Sequence, residues 1–336
     1  MSGNKTVPVF LFLCIFFAGI FLFSAKTGTI NLNWKDFWEA LFNPNSENLA
    51  SILLWQIRIP RFVASVLCGG SLALCGQMLQ VLVRNPLAEP YTLGTGSGAA
   101  LGLNLALAGW LPAWLTGIYL LPFWAFAGAF TAGFVVMLLA GRSSSSERLL
   151  LGGIAVSIFS GSLISFLLFF LADAARLRQM VFWAFGSLDK VSWQLLLPVT
   201  GMMVPVLALA FAGSRSWNLM LLGEEKAASL GVSALKIRRS MLLITSFLTA
   251  ASVCLAGPIG FAGLVVPYCV RQFIPLGKVA QPMVTFISGA LFLAFCDLLA
   301  RVISPDGGIP AGLITSLVGL PVFLYLLRNS RRKALS

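Results

Sequence analysis

The sequence predicts an all-α integral membrane protein with about ten transmembrane helices and both termini in the cytoplasm. Two observations carry this. The 336 residues are 58% hydrophobic and only 10% charged, whereas water-soluble domains carry about 25% charged residues. The few charges are also gathered between long uncharged apolar runs, each near the roughly 20 residues that a helical span needs. Mean hydropathy is +0.92. The whole chain, residues 1–336, reads as one transmembrane domain, with no low-complexity tract or separate soluble part.

Taken in order, Thr6–Ala25 follows Lys5 and is long for a signal-peptide core, so it reads as an uncleaved first helix. Asn31–Phe42 mixes tryptophans and aliphatics with polar residues, the composition of an amphipathic helix lying in the membrane interface. Arg58 and Arg61 flank Pro60, whose fixed φ and missing N–H suit a helix start. Phe62–Val83 is a span. Pro90–Gly141 is long enough for two, with a break at Gly109–Pro112. Leu149–Ala172 and Val191–Ser214 follow. Ser240–Val270 is interrupted by Gly257, Pro258 and Gly260, so its second half is a full or a broken helix. Val279–Cys296 and Gly307–Leu327 close the set. With ten spans and an inner N-terminus, 15 Lys and Arg fall inside and 8 outside, the sign of the positive-inside rule. The net charge of +12 is thus an orientation signal rather than affinity for nucleic acid.

Several chemistries are excluded or disfavoured. There is no histidine, and the six cysteines lie in apolar stretches without a CxxC pair, so no metal site or disulfide framework is expected. No phosphate-binding GxxxxGK[ST] occurs. No carboxylate pair sits within a span, which counts against an ion-coupled secondary transporter. No cluster of polar catalytic residues suggests an enzyme.

Three features stand out. The first is LGEEKAASLGVSALKIRR, Leu222–Arg239, the longest densely charged stretch. Glu224–Leu230 reads as a short helix stopped by Gly231, with Ser233 placed to cap the next helix. It suits a cytoplasmic docking surface for a soluble partner, and equally a solvated loop. The second is RNPLAEPYTLGTGSG, Arg84–Gly98. Pro86 and Pro90 prevent a continuous helix, and Gly94, Gly96 and Gly98 permit close backbone approach, either along a pathway or in simple helix packing. The third is Asp297 and Arg301, four residues apart on one helix face near its outer end.

Seven motifs in order resemble the permease subunits of ABC importers for iron-siderophores, haem and vitamin B12. They are RIPR (Arg58–Arg61), Gly69–Ala99, FWAFGSL (Phe182–Leu188), LGEEKAASLGV (Leu222–Val232), GPIGFAGLVVP (Gly257–Pro267), CDLLAR (Cys296–Arg301) and Gly308–Leu327. The resemblance implies a ten-helix subunit that pairs as a homodimer around a central pathway. Two cytoplasmic ATPase subunits and an outer substrate-binding protein would be its partners. It implies no cofactor bound by the chain itself, ATP being used by the partner subunits, and no enzyme activity of its own. The ATPase-coupling helix falls on Gly223, Glu224, Glu225, Lys226, Ala227, Ala228, Leu230 and Gly231, which favours the docking reading. Binding-protein docking falls on Arg58, Arg61 and Arg301. The inner gate falls on Ser143, Ser144, Ser145 and Ser146, beside a pathway-lining fifth helix. Arg84, Asn85, Pro86, Gly94, Gly96 and Gly98 fall on a helix break by the pathway. The implied cargo is an iron-siderophore complex or related metal chelate, with haem, a corrinoid or molybdate as alternatives. Pro267-Tyr268 and Gly308-Ile309-Pro310 depart from the family's usual residues and leave the cargo open.

Overall fold

The computed structural model describes residues 6–28, 30–44, 48–108, 112, 120–141, 146–170, 182–221, 229, 233–274, 280–304 and 309–334. The described residues are helical and contain no strand. The helices are α1 (Thr6–Lys26), α2 (Trp34–Phe42), α3 (Leu49–Ile52), α4 (Ile59–Val83), α5 (Thr95–Leu107), α6 (Leu121–Ala140), α7 (Ser146–Phe170), α8 (Trp193–Met220), α9 (Ala234–Ala256), α10 (Ala262–Phe273), α11 (Gln281–Ile303) and α12 (Ala311–Ala334). Six helical stretches are long and apolar enough to cross a membrane: Leu49–Val83, Leu121–Ala140, Glu147–Phe169, Trp193–Met220, Ala234–Ala256 and Gln281–Ile303. Ile15–Lys26 and Ala311–Tyr325 are shorter apolar helical stretches.

The Leu49–Val83 stretch is the central post. Its most apolar window is 89% buried, against 22% for Glu147–Phe169 and 28% for Trp193–Met220, which puts α7 and α8 at the rim. α4 packs on α8, α9, α10 and α11, and α5 pairs with α6. Close approach is built from small residues, since lipid tails supply no hydrophobic drive between helices. A Cβ on Gly69 would lie 2.3 Å from the carbonyl oxygen of Gly289 in α11, and one on Gly76 would lie 1.7 Å from that of Gly263 in α10. No larger residue fits either crossing.

The entry to α4 differs from the expected helix start at Pro60. Helical backbone already begins at Leu49 and runs through a π-helical turn, Leu53–Arg58, straight into α4. Proline inside a helix lacks one N–H and crowds the carbonyl four residues back. A widened π turn just before it relieves that conflict.

The break in Ser240–Val270 lies where the glycines are. α9 ends at Ala256, Gly257 has φ +67°, and α10 begins only at Ala262. α10 has 12 residues, about 18 Å of helix, too short for a core about 30 Å thick. It is therefore a half-helix seated on α4. Its Arg271 donates to Gln80 Oε1, and Gln80 Nε2 donates at 3.4 Å to the carbonyls of Gly263 and Leu264.

α1 lies along α11 and α4, where Phe17 and Phe21 meet Phe62 edge to face at 5.3 and 5.0 Å. In α2, Phe37 and Ala40 are buried against Ala25 and Leu54, while Trp34, Trp38 and Phe42 stay exposed. Lys26 Nζ sits 4.9 Å above the Trp34 ring. This is the aromatic outer surface expected of an interfacial helix.

Candidate functional site

Two regions gather the motif residues. The first joins the N-terminal end of α4 to the C-terminal ends of α1 and α11. Asp297 is 1% exposed. It accepts from Arg61 Nε at 2.9 Å (Oδ1) and 3.1 Å (Oδ2) and from Arg61 Nη2 at 2.8 Å. Arg301 Nη2 meets its other face at 3.1 Å from Oδ2. Arg61 Nη1 also donates to Asp189, whose carboxylate is fixed by Ser187 Oγ at 2.6 Å. Residues 236 positions apart in sequence thus share one buried ionic cluster.

Arg301, together with Arg58, also holds the end of the first helix. The last carbonyls of an α-helix have no intrahelical partner and carry partial negative charge. Arg301 Nη1 donates to the carbonyls of Ser24 (2.9 Å) and Thr27 (3.3 Å), and its Nη2 donates to Ser24 Oγ. Arg58 donates to the carbonyls of Ala25 and Ile30, and at 2.9 Å to that of Lys26. All three guanidinium residues are buried, at 5%, 9% and 8% exposure for Arg58, Arg61 and Arg301. The structure brings all three together at the ends of α1, α4 and α11. Most of their donors are engaged within the chain, so little of each guanidinium faces outward.

The second region is the α9–α10 break. Gly186 (φ +67°), in FWAFGSL, lies so close that a Cβ there would be 2.3 Å from the Pro258 carbonyl oxygen. Gly312 N donates at 3.0 Å to the Gly186 carbonyl. Tyr91 Oη accepts from Ile259 N at 2.8 Å. Four of the seven motifs therefore converge on residues 257–263.

The segment Arg84–Gly98 leads to that junction. Arg84 ends α4 in a left-handed conformation (φ 53°), and Asn85 Oδ1 accepts from Leu87 N at 2.9 Å, turning the chain at Pro86. A 3₁₀ turn, Pro90–Leu93, follows, and Gly94 (φ +72°) leads into α5. Gly96 lies beneath the Tyr91 ring, and Gly98 packs on Gly128 of α6. Glu89, just before the turn, faces the backbone of Phe261, and burial holds its carboxyl above the usual range.

Of the charged stretch, Gly223–Ala228, Leu230 and Gly231 lie outside the described residues. Its flanks are fixed: Trp217 and Met220 at the end of α8 are buried, and Ser233 Oγ accepts from Lys236 N at 3.4 Å as the expected cap of α9. Ser143, Ser144 and Ser145 also lie outside the described residues, and Ser146 opens α7. Sequence reasoning missed Asp189 and the Tyr91–Ile259 bond. The Asp297–Arg301 spacing was the one visible sign of the ionic cluster.

The fold and these two junctions define a multi-pass helical membrane permease built around one buried helix. The model of the FecCD transport family matches residues 13–329, and the chain belongs to that family. It is 35% identical over 338 residues to the hemin transport system permease protein HmuU of Yersinia pestis, covering 99% of both chains. It is 36% identical over 285 residues to the vitamin B12 import system permease protein BtuC of Salmonella arizonae, covering 84% of each. A solved structure described as an inward-facing conformation of a metal-chelate type ABC transporter superposes with a TM-score of 0.83 at 28% identity, over 96% of this chain and 99% of that one.

Proposed function

We propose that this chain is the membrane-spanning permease subunit of an ATP-binding-cassette importer in the bacterial inner membrane, moving an iron-siderophore complex or related metal chelate inward. The family match over residues 13–329, with four of its motifs drawn to one junction, carries this reading. Ten membrane crossings place both termini in the cytoplasm. The ends of α8 and α9 then hold Gly223–Gly231 on the inner side as the contact for an ATPase subunit, which uses the ATP. The permease itself performs no covalent chemistry.

A second copy completes the pathway. α7 exposes Leu151, Ile154 and Ile158, and α12 exposes Leu317, Leu320 and Leu324, offering apolar faces to that copy or to lipid. Ser143–Ser146, beside α7, are the inner gate, and Arg84–Gly98 borders the pathway near the break. A substrate-binding protein docks on the outer face. There Arg58, Arg61 and Arg301 act first by holding α1, α4 and α11 together, and present only their remaining surface to the partner. The HmuU and BtuC similarities favour a second cargo reading, haem or a corrinoid. The test is to purify the cognate binding protein with its ligand and identify that ligand by native mass spectrometry. An iron-siderophore supports the first reading, haem or a corrinoid the second, and a simple amino acid or sugar would refute both.

A further inference from the structure

The backbone ladder that leads into α4 has a gap at Trp55. In the π turn Leu53–Arg58, the N–H of Ile59 reaches back to the Leu54 carbonyl. The next N–H in that register would serve the Trp55 carbonyl, but it falls at Pro60, which has none. The indole of Trp193 fills the gap. Its Nε1 donates at 2.6 Å to the Trp55 carbonyl, across 138 positions of sequence. Trp55 in turn donates through its own Nε1 at 3.0 Å to the Ala40 carbonyl near the end of α2. A partly buried carbonyl without a donor costs free energy, so this bond fixes where Trp193 sits.

Trp193 is the first residue of α8, which has 28 residues and so a length of about 42 Å. Pro198 and Pro205 lie within it, and the helix runs on through both. Its place at the rim leaves most of its surface to lipid. Lipid tails offer a span the same apolar contact as neighbouring helices do, so directed bonds at its ends decide its position. Two such bonds stand at its start. Asp189, just ahead of α8, meets Arg61, and Trp193 meets the Trp55 carbonyl. Both tie the outer end of α8 to the entry of α4, where Arg58 and Arg61 gather. At its other end Trp217 and Met220 are buried, next in sequence to the segment assigned to the ATPase contact. One helix thus has its outer end fastened at the proposed docking face and its inner end at the proposed ATPase contact.

We infer that Trp193 is a positioning residue for transport: its bond to the Trp55 carbonyl couples a binding protein seated on the outer face to the ATPase contact, with α8 as the strut. This rests on the importer reading above. The test uses the permease–ATPase complex in lipid nanodiscs and the cognate binding protein as purified. The Kd of the binding protein is measured without nucleotide and with a non-hydrolysable ATP analogue, and the ratio of the two values reports the coupling. One hydrogen bond of about 1 kcal/mol can carry a roughly fivefold ratio. Trp193→Phe should bring the ratio close to one. The benzothienyl analogue of tryptophan, placed at residue 193, keeps the ring shape, lacks the N–H and should do the same. Trp38→Phe, on the exposed face of α2, should leave the ratio as it is in the unsubstituted complex. A ratio preserved by Trp193→Phe or by the analogue would overturn the inference, and a lower Tm with a preserved ratio would mark the bond as packing alone. An equal loss in Trp38→Phe would overturn it too, since any damage to the outer surface would then suffice. A ratio of one in the unsubstituted complex would overturn the inference and leave the importer reading standing. Failure of the permease to bind either partner would overturn that reading and the inference with it.

Discussion

Asp297→Asn probes the ionic cluster most sharply, because it keeps the side-chain volume and removes only the charge. Asp297 accepts from Arg61 through two nitrogens and from Arg301 through one. Breaking one partner of a buried ion pair costs about 3–5 kcal/mol, mostly from the charge left uncompensated. Arg61 keeps Asp189, and Arg301 keeps the carbonyls at the end of α1. The cost should therefore fall at the lower end, about 3 kcal/mol. Each kcal/mol moves the midpoint of a mid-sized domain by about 2–4 °C, so the apparent Tm in detergent should drop by roughly 6–12 °C. Glu39→Gln, on the exposed face of α2, is the control and should shift it by less than about 1 °C. Combining Asp297→Asn with Arg301→Gln should cost less than the sum of the two, because the second change removes a charge the first has stranded. A Tm unchanged by Asp297→Asn, or strictly additive losses, would refute a coupled buried cluster.

Three further outcomes follow from the geometry. Tyr91→Phe leaves the N–H of the buried Ile259 without its acceptor, so stability should fall by about 1–3 kcal/mol, read as a lower apparent Tm. Burial raises the Glu89 carboxyl in the folded chain, so the protonated acid is favoured and the ionised form opposes folding. Glu89→Gln should then raise thermal stability at pH 7–8 with the gain vanishing toward acid pH, and a gain that grows on acidification would contradict this sign. Ala228→Asp places a carboxylate in the proposed ATPase contact at a cost of several kcal/mol if unpaired. The permease should still fold, while co-purification of ATPase subunits should be lost.

Much of this molecule is local and therefore legible in its sequence. α1, the split of Ser240–Val270 and the Ser233 cap follow from apolar run length, glycine placement and one hydroxyl. The amphipathic α2 is visible in its mixture of tryptophans and aliphatics with polar residues. The entry to α4 was misread because Pro60 signals a helix start only when nothing helical precedes it. The π turn that lets the helix pass through leaves no mark in composition. The docking assignment of Arg58, Arg61 and Arg301 came from the resemblance alone, and nothing in their spacing signals that they are buried. Their burial depends on Asp189, Asp297 and the end of α1, which no spacing rule brings together. The Asp297–Arg301 pair was readable only because both sit one turn apart on α11.

The most direct measurement is uptake of the radiolabelled chelate into proteoliposomes that contain this permease, its ATPase subunits and a saturating binding protein. Uptake should require ATP inside the vesicles and should cease with a non-hydrolysable analogue or with Ala228→Asp. Uptake of the same size without nucleotide, driven by an ion gradient alone, would contradict an ATPase-driven permease and indicate a secondary carrier.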